Sequence, residues 1–172
     1  VLTIEITNFL FSKEAVKLKW TNVICTSHNE SWVHVNDCRL KAISRNLTIL
    51  NVNITILHPT NDIFIDAQLY KKANGYKPWL IKSMVDFCRF SKTSYNPYAK
   101  IVFSLLKSYS NLNHSCPYVG HIIVQGFYIT PAQLGLPFPT GDYLVALKWI
   151  YYKKLQASTN VYFSFTEDYI DM

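Results

Sequence analysis

Leu50-Asn51-Val52-Asn53-Ile54-Thr55-Ile56 alternates strictly between apolar and polar side chains. Successive side chains of a β-strand point to opposite faces of the sheet. The four apolar residues are therefore expected on one buried face, and Asn51, Asn53 and Thr55 on the opposite face. The alternation predicts a strand with one face on a hydrophobic core and the other in solvent.

The same alternation recurs at four other places along the chain. Its apolar members there are Val16, Leu18 and Trp20; Ile63, Ile65, Ala67 and Leu69; Tyr143, Val145, Leu147 and Trp149; and Val161, Phe163 and Phe165. Further strand-like runs are Trp32–Arg39, Trp79–Phe90 and His121–Ile129. Turn-forming Pro, Asn, Gly and Asp residues separate the runs at 58–62, 73–78 and 137–141. About eight short strands joined by turns predict an antiparallel sandwich or barrel.

One segment has the period of a helix. Asn96-Pro97 combines an N-cap residue with proline in the first helical position. Apolar residues then follow three or four positions apart and would form one stripe on a helix. The stripe consists of Tyr98, Ile101, Leu105 and Tyr109. The segment predicts a helix from about residue 97 to residue 110, inserted between strands.

Length and composition indicate one domain, which we place at residues 1–172 with its core at about 16–167. Aromatic residues make up 15% of the chain and charged residues 16%. This balance excludes a disordered chain and favours strands. No apolar run approaches the roughly 18 residues that span a bilayer, so no transmembrane segment is predicted.

The net charge of +6 comes from seventeen basic and eleven acidic residues. A nucleic-acid partner is not predicted, because the basic residues cluster only in pairs and form no recognisable binding motif. We expect a solvated basic surface. A mild attraction to anionic membranes or acidic partners stays open.

The four cysteines, Cys25, Cys38, Cys88 and Cys116, form an even set that allows three pairings. Zinc sites usually bring ligands in pairs two to four residues apart, and no two of these cysteines are that close. We therefore predict disulfides and no metal. Local pairing of Cys25 with Cys38 and of Cys88 with Cys116 is preferred, although the sequence alone does not establish it.

Four sequons for N-glycosylation accompany the cysteines, with acceptors at Asn29, Asn46, Asn53 and Asn113. Asn53 lies on the polar side of the alternating stretch, where a glycan must be. Cysteine pairing and sequons both indicate the secretory route, so a secreted, extracellular glycoprotein is predicted. The chain begins at Val1 rather than Met, and we expect that a signal peptide has been removed.

Enzyme activity is not predicted, because the sequence lacks the common nucleophile, phosphate-loop, dinucleotide and metalloprotease motifs. His34 and His121 lie in strand-like runs, where a structural role is common. Asp66 and Asp86 are expected to be solvated rather than paired. No cofactor is predicted, and a catalytic site assembled only in three dimensions stays open.

A series of motifs resembles a large insect family of small secreted proteins. They are residues 38–45 (CRLKAISR), 50–53 (LNVN), 69–78 (LYKKANGYKP), 86–88 (DFC), 113–118 (NHSCPY) and 138–143 (FPTGDY). The family is catalogued as domain of unknown function 1091, and the chemosensory CheB proteins are similar to it. The resemblance covers roughly residues 20 to 165. The family is in turn distantly similar to the ML lipid-recognition superfamily, whose members hold a lipid tail between two sheets.

This resemblance implies an all-β, antiparallel, immunoglobulin-like β-sandwich of the ML type, with one inserted helix near 97–110. It also implies that Cys88 and Cys116 are bridged at the mouth of a cavity. The implied function is binding of an apolar ligand between the sheets: a lipid, a fatty acid or a hydrocarbon-like signal, with a chemosensory role among the family's better-known members. Candidate lining residues, which point inward from the predicted strands or belong to the helix, are Leu50, Val52, Ile54, Ile63, Ile65, Leu69, Phe87, Ile101, Leu105, Phe127, Leu147, Trp149 and Phe163.

An extracellular protein-interaction module with a solid core is the alternative. Every sandwich has inward-facing apolar residues, and they ordinarily pack at the density of an organic crystal. Contact points for a protein partner, such as a membrane receptor, would be Lys71-Lys72 and the aromatic loop at 76–79. Trp79, however, more simply begins a buried strand.

Overall fold

The structure is a computed structural model that describes residues 15–135 and 138–168. Its eight strands are β1 (Ala15–Ser27), β2 (Val33–Ser44), β3 (Leu47–Thr60), β4 (Ile63–Lys72), β5 (Tyr76–Asp86), β6 (Tyr118–Phe127), β7 (Gly141–Tyr151) and β8 (Lys154–Asp168). The helices are α1 (Phe87–Lys92), α2 (Pro97–Leu106) and α3 (Pro131–Leu134), and a 3₁₀ turn at Lys107–Tyr109 extends α2. The predicted domain limits, residues 1 and 172, and part of the predicted turn at 137–141 lie outside the described residues.

Two antiparallel sheets face each other. The larger sheet has the strand order β1-β8-β7-β4-β5, and the smaller sheet has the order β2-β3-β6. The chain changes sheet after β1, β3, β5 and β6, so that strands from all parts of the sequence line the space between the sheets. The predicted all-β sandwich is confirmed. Its strands are longer than expected, with ten to fifteen residues each.

Alternation places the apolar residues as the sequence predicted. In β3, Leu50, Val52 and Ile56 are buried while Asn51 and Asn53 are half-buried on the outer face. Burial of such side chains contributes roughly 1.5–3 kcal/mol each. The smaller sheet therefore presents one apolar face to the larger sheet.

The buried residues form two clusters at opposite ends of the space between the sheets. Cluster 1 contains Trp20, Val23, Leu50, Val52, Leu69, Phe127, Phe138, Tyr143, Val161, Phe163 and Phe165. Cluster 2 contains Val33, Ile56, Ile63, Val85, Phe87, Phe90, Leu112, Tyr118, Tyr151 and Ala157. Both are rich in aromatic rings, which give each end of the sandwich its bulk.

The predicted strand Trp79–Phe90 is wrong in its last part. β5 ends at Asp86, whose side chain accepts a hydrogen bond from the Arg89 backbone N–H (3.2 Å) and caps α1. Phe87 and Phe90 are three residues apart and both are buried, which fits one face of a helix. The local cap and the helical spacing override the strand-like composition of this segment.

Other boundaries differ by a few residues. β2 starts at Val33 and continues past Arg39 to Ser44. β6 covers residues 118–127 rather than 121–129, so Ile129 lies beyond the strand. Such shifts are expected, because sequence patterns locate the ends of elements poorly.

The inserted helix is confirmed, and half of its predicted stripe turns inward, because Leu105 and Tyr109 pack against cluster 1. Asn96 caps α2 by accepting hydrogen bonds from the N–H groups of Tyr98 and Ala99, both at 3.1 Å. Tyr98 is exposed, whereas Ala99, Phe103 and Leu106 pack against cluster 2. The helix is apolar nearly all round, so periodicity alone did not identify the face that turns inward.

Both predicted disulfides are present, Cys25–Cys38 and Cys88–Cys116. The local pairing is confirmed, but β1 and β2 do not form a hairpin: they are edge strands of different sheets. The first disulfide therefore joins the two sheets along one edge. The second joins α1, which follows the opposite edge strand β5, to the segment just before β6. The two disulfides hold opposite edges of the sandwich.

Candidate ligand site between the sheets

A row of mostly small side chains crosses the middle of the larger sheet. Strand register aligns Cys25 of β1, Thr159 of β8, Leu147 of β7, Ala67 of β4 and Ser83 of β5. All five lie on the inner face, because Ala67 has the same parity as the buried Ile63 and Leu69. We call this set the middle row. It lies between the two aromatic clusters.

Two members of the middle row, Ala67 and Leu147, are less buried than the ends of their own strands, whereas Thr159 of β8 is buried. In β4, Ile63 and Leu69 are only 2% and 6% exposed, whereas Ala67 between them is half-buried. In β7, Tyr143 and Tyr151 are buried and Leu147 between them is half-buried. Within the described residues, Leu147 packs against neither cluster. A solid core would be best buried at its centre, so the space between the sheets is incompletely filled there.

A small apolar cavity of about 50 Å³ lies at the cluster 2 end of this space. Its walls come from both sheets and from α1. They are Val33, Ile54, Ile56, Ile63, Phe87, Leu112, Tyr118, Ile122, Trp149, Tyr151 and Ala157. Ile54 also packs against cluster 1, so the cavity borders the region of the middle row.

The two flanks of the site are closed differently. On one flank, the Cys25–Cys38 disulfide links the middle row to Val52 of the smaller sheet, which is the partner of Cys38 in the strand register. On the other flank, edge strands β5 and β6 belong to different sheets and do not pair. The chain between them, with α1 and α2, packs against both clusters on this flank. We therefore take this second flank as the candidate entrance.

Helix α2 is attached to the entrance by polar contacts rather than by deep burial. None of its residues is fully buried. The Asn96 side chain donates a hydrogen bond to the hydroxyl of Ser83 (2.7 Å), which is the β5 member of the middle row. The Tyr95 hydroxyl also accepts a hydrogen bond from the backbone N–H of Asp86 (2.7 Å). Because α2 has few buried contacts, it should detach from the rest of the fold more readily than the strands separate from each other.

Polar groups in the interior are few and neutral. The Trp149 indole N–H donates to the hydroxyl of Thr159 (3.1 Å), the β8 member of the middle row. The Tyr118 hydroxyl donates to the backbone carbonyl oxygens of Leu112 (2.9 Å) and His114. Burial raises the pKa of the Tyr151 and Tyr118 hydroxyls above the usual value, so both stay protonated at neutral pH. None of the described residues in the cavity wall or the middle row is charged. The site can therefore make apolar contacts and donate a few hydrogen bonds.

The structure distributes the predicted lining residues over three places. Leu50, Val52, Leu69, Phe127 and Phe163 are buried in cluster 1, and Leu105 packs against it. Ile54, Ile63, Phe87 and Trp149 line the cavity, and Ile65 packs against cluster 2. Leu147 belongs to the middle row. Ile101 is half-buried on α2 and contacts neither cluster among the described residues.

The sequence reasoning missed most of the cavity wall. Tyr151 has the same strand parity as Trp149 and could have been found from the alternation in β7. Tyr118 follows Cys116 closely, and that neighbourhood suggested its position near the second disulfide. Val33, Leu112 and Ile122 meet them only through the pairing of distant strands.

A second concavity of about 190 Å³ lies at the cluster 1 end of the sandwich, beside the turn between β2 and β3. Its lining includes Val16, Leu18 and Trp20 of β1, Tyr128, and the sequon residues Asn46-Leu47-Thr48. A glycan on Asn46 would occupy this groove. We therefore place the candidate ligand site at the cavity beside cluster 2, whose walls come from both sheets, although it is smaller.

The four sequon asparagines lie at the surface or on outer faces. Asn46 and Asn113 are exposed, and Asn29 and Asn53 are half-buried. Asn53 accepts a hydrogen bond from the Asn36 side chain (3.2 Å) on the outer face of the smaller sheet. All four positions are thus outside the space between the sheets.

Residues suggested for other chemistry are apart from this site. Asp86 caps α1 instead of pairing with Asp66. Trp79 is half-buried and stacks near Phe138 and Tyr143 (5.8 and 5.4 Å between ring centroids), as expected for a core residue. Among residues 15–135 and 138–168, no three His, Cys, Asp or Glu side chains are close enough to hold a metal ion. None of the described helices is long and apolar enough to cross a membrane.

The fold defines a disulfide-linked, all-β protein with two facing sheets. Residues 65–145 match the family described as "Protein of unknown function (DUF1091)". This match confirms the family that the motifs predicted, and it covers most of β4, all of β5 and β6, and all three helices. A comparison with curated proteins found no match.

Proposed function

We propose that this chain is a secreted binding protein for an apolar ligand held between its two sheets. The incompletely buried middle row carries the proposal. Ala67 and Leu147 expose apolar surface at the centre of a sandwich whose two ends are densely packed with aromatic rings. Ligand sites are typically concave, mostly apolar and supplied with a few polar groups, which is the character of this space.

The size of the cavity restricts the ligand. At about 50 Å³ it is smaller than the roughly 300–1,000 Å³ of typical ligand pockets. A ligand would have to be narrow, and the site would have to widen. An unbranched acyl or hydrocarbon chain fits this requirement better than a fused ring system. Each buried methylene would contribute about 0.8 kcal/mol.

Widening would occur at the flank covered by α2, which has no fully buried residue. The opposite flank is held by the Cys25–Cys38 disulfide between the sheets. Displacement of α2 would expose Phe103 and Leu106 on its inner side as well as Ser83 in the middle row. The helix would thus act as a lid, with Phe103 and Leu106 beside the predicted Leu105 on its inner side, whereas Ile101 contacts neither cluster among the described residues.

Secretion is supported by the two disulfides, which persist in oxidising compartments, and by the four outward-lying sequons. The family resemblance supports a chemosensory ligand, such as a hydrocarbon-like signal. No reaction is proposed for the site.

Fluorescence titration with a fatty-acid panel tests the proposal. Trp149 lines the cavity, and Trp149→Ala should weaken uptake of a fluorescent fatty acid by at least about tenfold. Trp32→Ala is the matched control, because Trp32 packs near His58 and Tyr152 outside the cavity wall. Equal affinity of folded Trp149→Ala and wild-type protein would contradict this site.

A solid-core interaction module is the second candidate, and the small volume of the cavity favours it. On this alternative the half-buried middle row is only loosely packed core, and no ligand enters. Filling the space at Ala67 separates the two functions, because it would block a ligand site but would overpack a solid core.

A further inference from the structure

The positive charge of the protein is concentrated in one segment. Residues 71–107 contain eight of the seventeen basic residues and one of the eleven acidic residues, a net charge of +7. The remaining residues contain nine basic and ten acidic side chains, a net charge of −1. Because the basic residues are spaced along this segment, they did not form an obvious cluster in the sequence.

The fold places this segment on the entrance flank of the ligand site. It comprises the end of β4, edge strand β5, α1 and α2. We call it the basic flank. Its basic side chains include Lys82 on the outer face of β5 and Lys100 and Lys107 on or next to α2, all exposed. Asp66 lies opposite Met84 in the neighbouring strand, and Asp86 is engaged in capping α1.

The same flank exposes large apolar side chains. The five largest exposures on it are Leu80 (78%), Val102 (54%), Met84 (53%), Tyr98 (45%) and Tyr95 (38%). Leu80 has a backbone φ of +48°, a conformation that is strained for a residue with a β-carbon. The strained backbone presents this leucine to solvent instead of to the core.

Tyrosine rings lie near the basic side chains of α1 and α2. The Arg89 guanidinium lies 4.2 Å from the ring centroid of Tyr95, and such contacts orient both groups. On α2, Lys100 and Lys107 are seven residues apart and share one side of the helix, while Tyr98 and Val102 are four apart and share another. The exposed surface of the flank is therefore both cationic and apolar.

We propose that the basic flank docks onto the surface of an anionic lipid bilayer. Interfacial segments combine Lys or Arg with exposed aliphatic and aromatic side chains, which enter the boundary between headgroups and acyl chains. Each cation near an anionic surface adds about a fivefold gain in affinity. Charge alone would suit an acidic protein equally well, but exposed Leu80, Met84 and Val102 favour lipid.

This inference goes beyond ligand binding, since it stands on charges and exposed side chains rather than on the cavity. Docking in this orientation would bring the entrance under α2 against the membrane. An apolar ligand could then pass between bilayer and protein without crossing water. Vesicle binding and ligand binding can fail separately, so each is tested on its own.

Co-sedimentation with vesicles tests the docking. The protein should bind vesicles of phosphatidylcholine with phosphatidylglycerol, should bind phosphatidylcholine vesicles much more weakly, and should be released by high salt. Lys100→Gln with Lys107→Gln should reduce binding about 25-fold. Val102→Ser should reduce it about tenfold if the side chain enters the bilayer.

Lys153→Gln with Lys154→Gln is the matched control, because it removes the same charge from the exposed β7–β8 turn. This control should bind almost as well as the wild type. Equal losses in the two double variants would overturn the proposal, as would equal binding to neutral and anionic vesicles or no binding to either. Circular dichroism of each variant confirms that the fold is retained.

Discussion

Ala67 tests at the scale of one residue whether the sandwich is hollow. Its side chain lies in the middle row, between Leu147 and Ser83 on the neighbouring strands. If the space is open, Ala67→Leu should fill it. The free energy of unfolding should then stay within about 1 kcal/mol of the wild type, while fatty-acid affinity falls at least about tenfold. Urea unfolding and fluorescence titration measure the two effects.

Ala146→Leu is the control, because Ala146 lies on the outer face of β7 next to Leu147. It should change neither quantity much. In a solid core, the extra methylenes of Ala67→Leu would instead destabilise the protein by about 1–3 kcal/mol. That destabilisation, together with the absence of ligand binding in the wild type, would support the interaction module.

Burial of Tyr151 makes the stability of the folded protein depend on pH. Burial raises the pKa of its hydroxyl in the folded state above the usual value, which is near 10. The unfolded chain therefore releases this proton from about pH 10 upward while the folded protein retains it. Stability is fully present below pH 10 and is lost above it, at a limiting slope of about 1.4 kcal/mol per pH unit for this residue.

Urea unfolding between pH 8 and pH 12 measures this dependence. Tyr151→Phe should flatten the decline by the equivalent of one proton, and some slope should remain because burial also raises the pKa of Tyr118 and Tyr143. Tyr98→Phe, at an exposed position on α2, should leave the slope unchanged. An unchanged slope in Tyr151→Phe would mean that its hydroxyl reaches solvent.

Elements were predictable where a local signal specifies them. Asn96-Pro97 predicted the start of α2, and the Asn96 side chain does cap the helix. The inner face of α2 could be predicted only in part: Leu105 was predicted, whereas Ala99, Phe103 and Leu106 face inward only because of the position of the sheets. α1 was missed for a different reason: at six residues it is too short to show a period.

Asn96 holds the lid in two separable ways. Its side-chain oxygen caps α2, and its side-chain N–H₂ group donates to Ser83 (2.7 Å). Asn96→Ala removes both interactions and should destabilise the helix by about 1 kcal/mol. Ser83→Ala keeps the cap and removes only the hydrogen bond between Asn96 and Ser83. Amide hydrogen exchange in α2 and the rate of ligand release are the measurements.

We expect Ser83→Ala to speed ligand release while the global free energy of unfolding stays near that of the wild type. Asn96→Asp should have a smaller effect, since the Ser83 hydroxyl can donate to the new carboxylate. Identical exchange rates in the wild type and Ser83→Ala would show that the contact with Ser83 does not restrain the helix.

For the whole molecule, the sequence predicted the strands but not how they combine. Alternation assigned the inward residues of each strand, as at Leu50 and Val161. It could not show that β4 lies between β5 and β7, because register and neighbours depend on contacts between distant segments. The middle row is defined only by that register, so it could not be predicted. The sequence predicted a single set of inward residues, and the fold divides most of them between the two clusters.

The two disulfides should contribute unequally to the stability and function of the sandwich. In the chain-entropy model, loops spanning 13 and 28 residues correspond to about 3 and about 3.6 kcal/mol. Cys88→Ser with Cys116→Ser should therefore destabilise slightly more than Cys25→Ser with Cys38→Ser. The variant without the Cys88–Cys116 disulfide should also release ligand faster, because this disulfide holds the entrance flank. Slower or unchanged release in that variant would place the entrance elsewhere.

Native mass spectrometry of the protein secreted from insect cells, followed by organic extraction, tests the central claim most directly. The account predicts a stoichiometric adduct whose extracted component is a fatty acid, another lipid or a hydrocarbon with a narrow chain, and it predicts the loss of this adduct in Ala67→Leu. A mass of the unliganded protein that does not change after incubation with a fatty-acid panel would contradict ligand binding between the sheets.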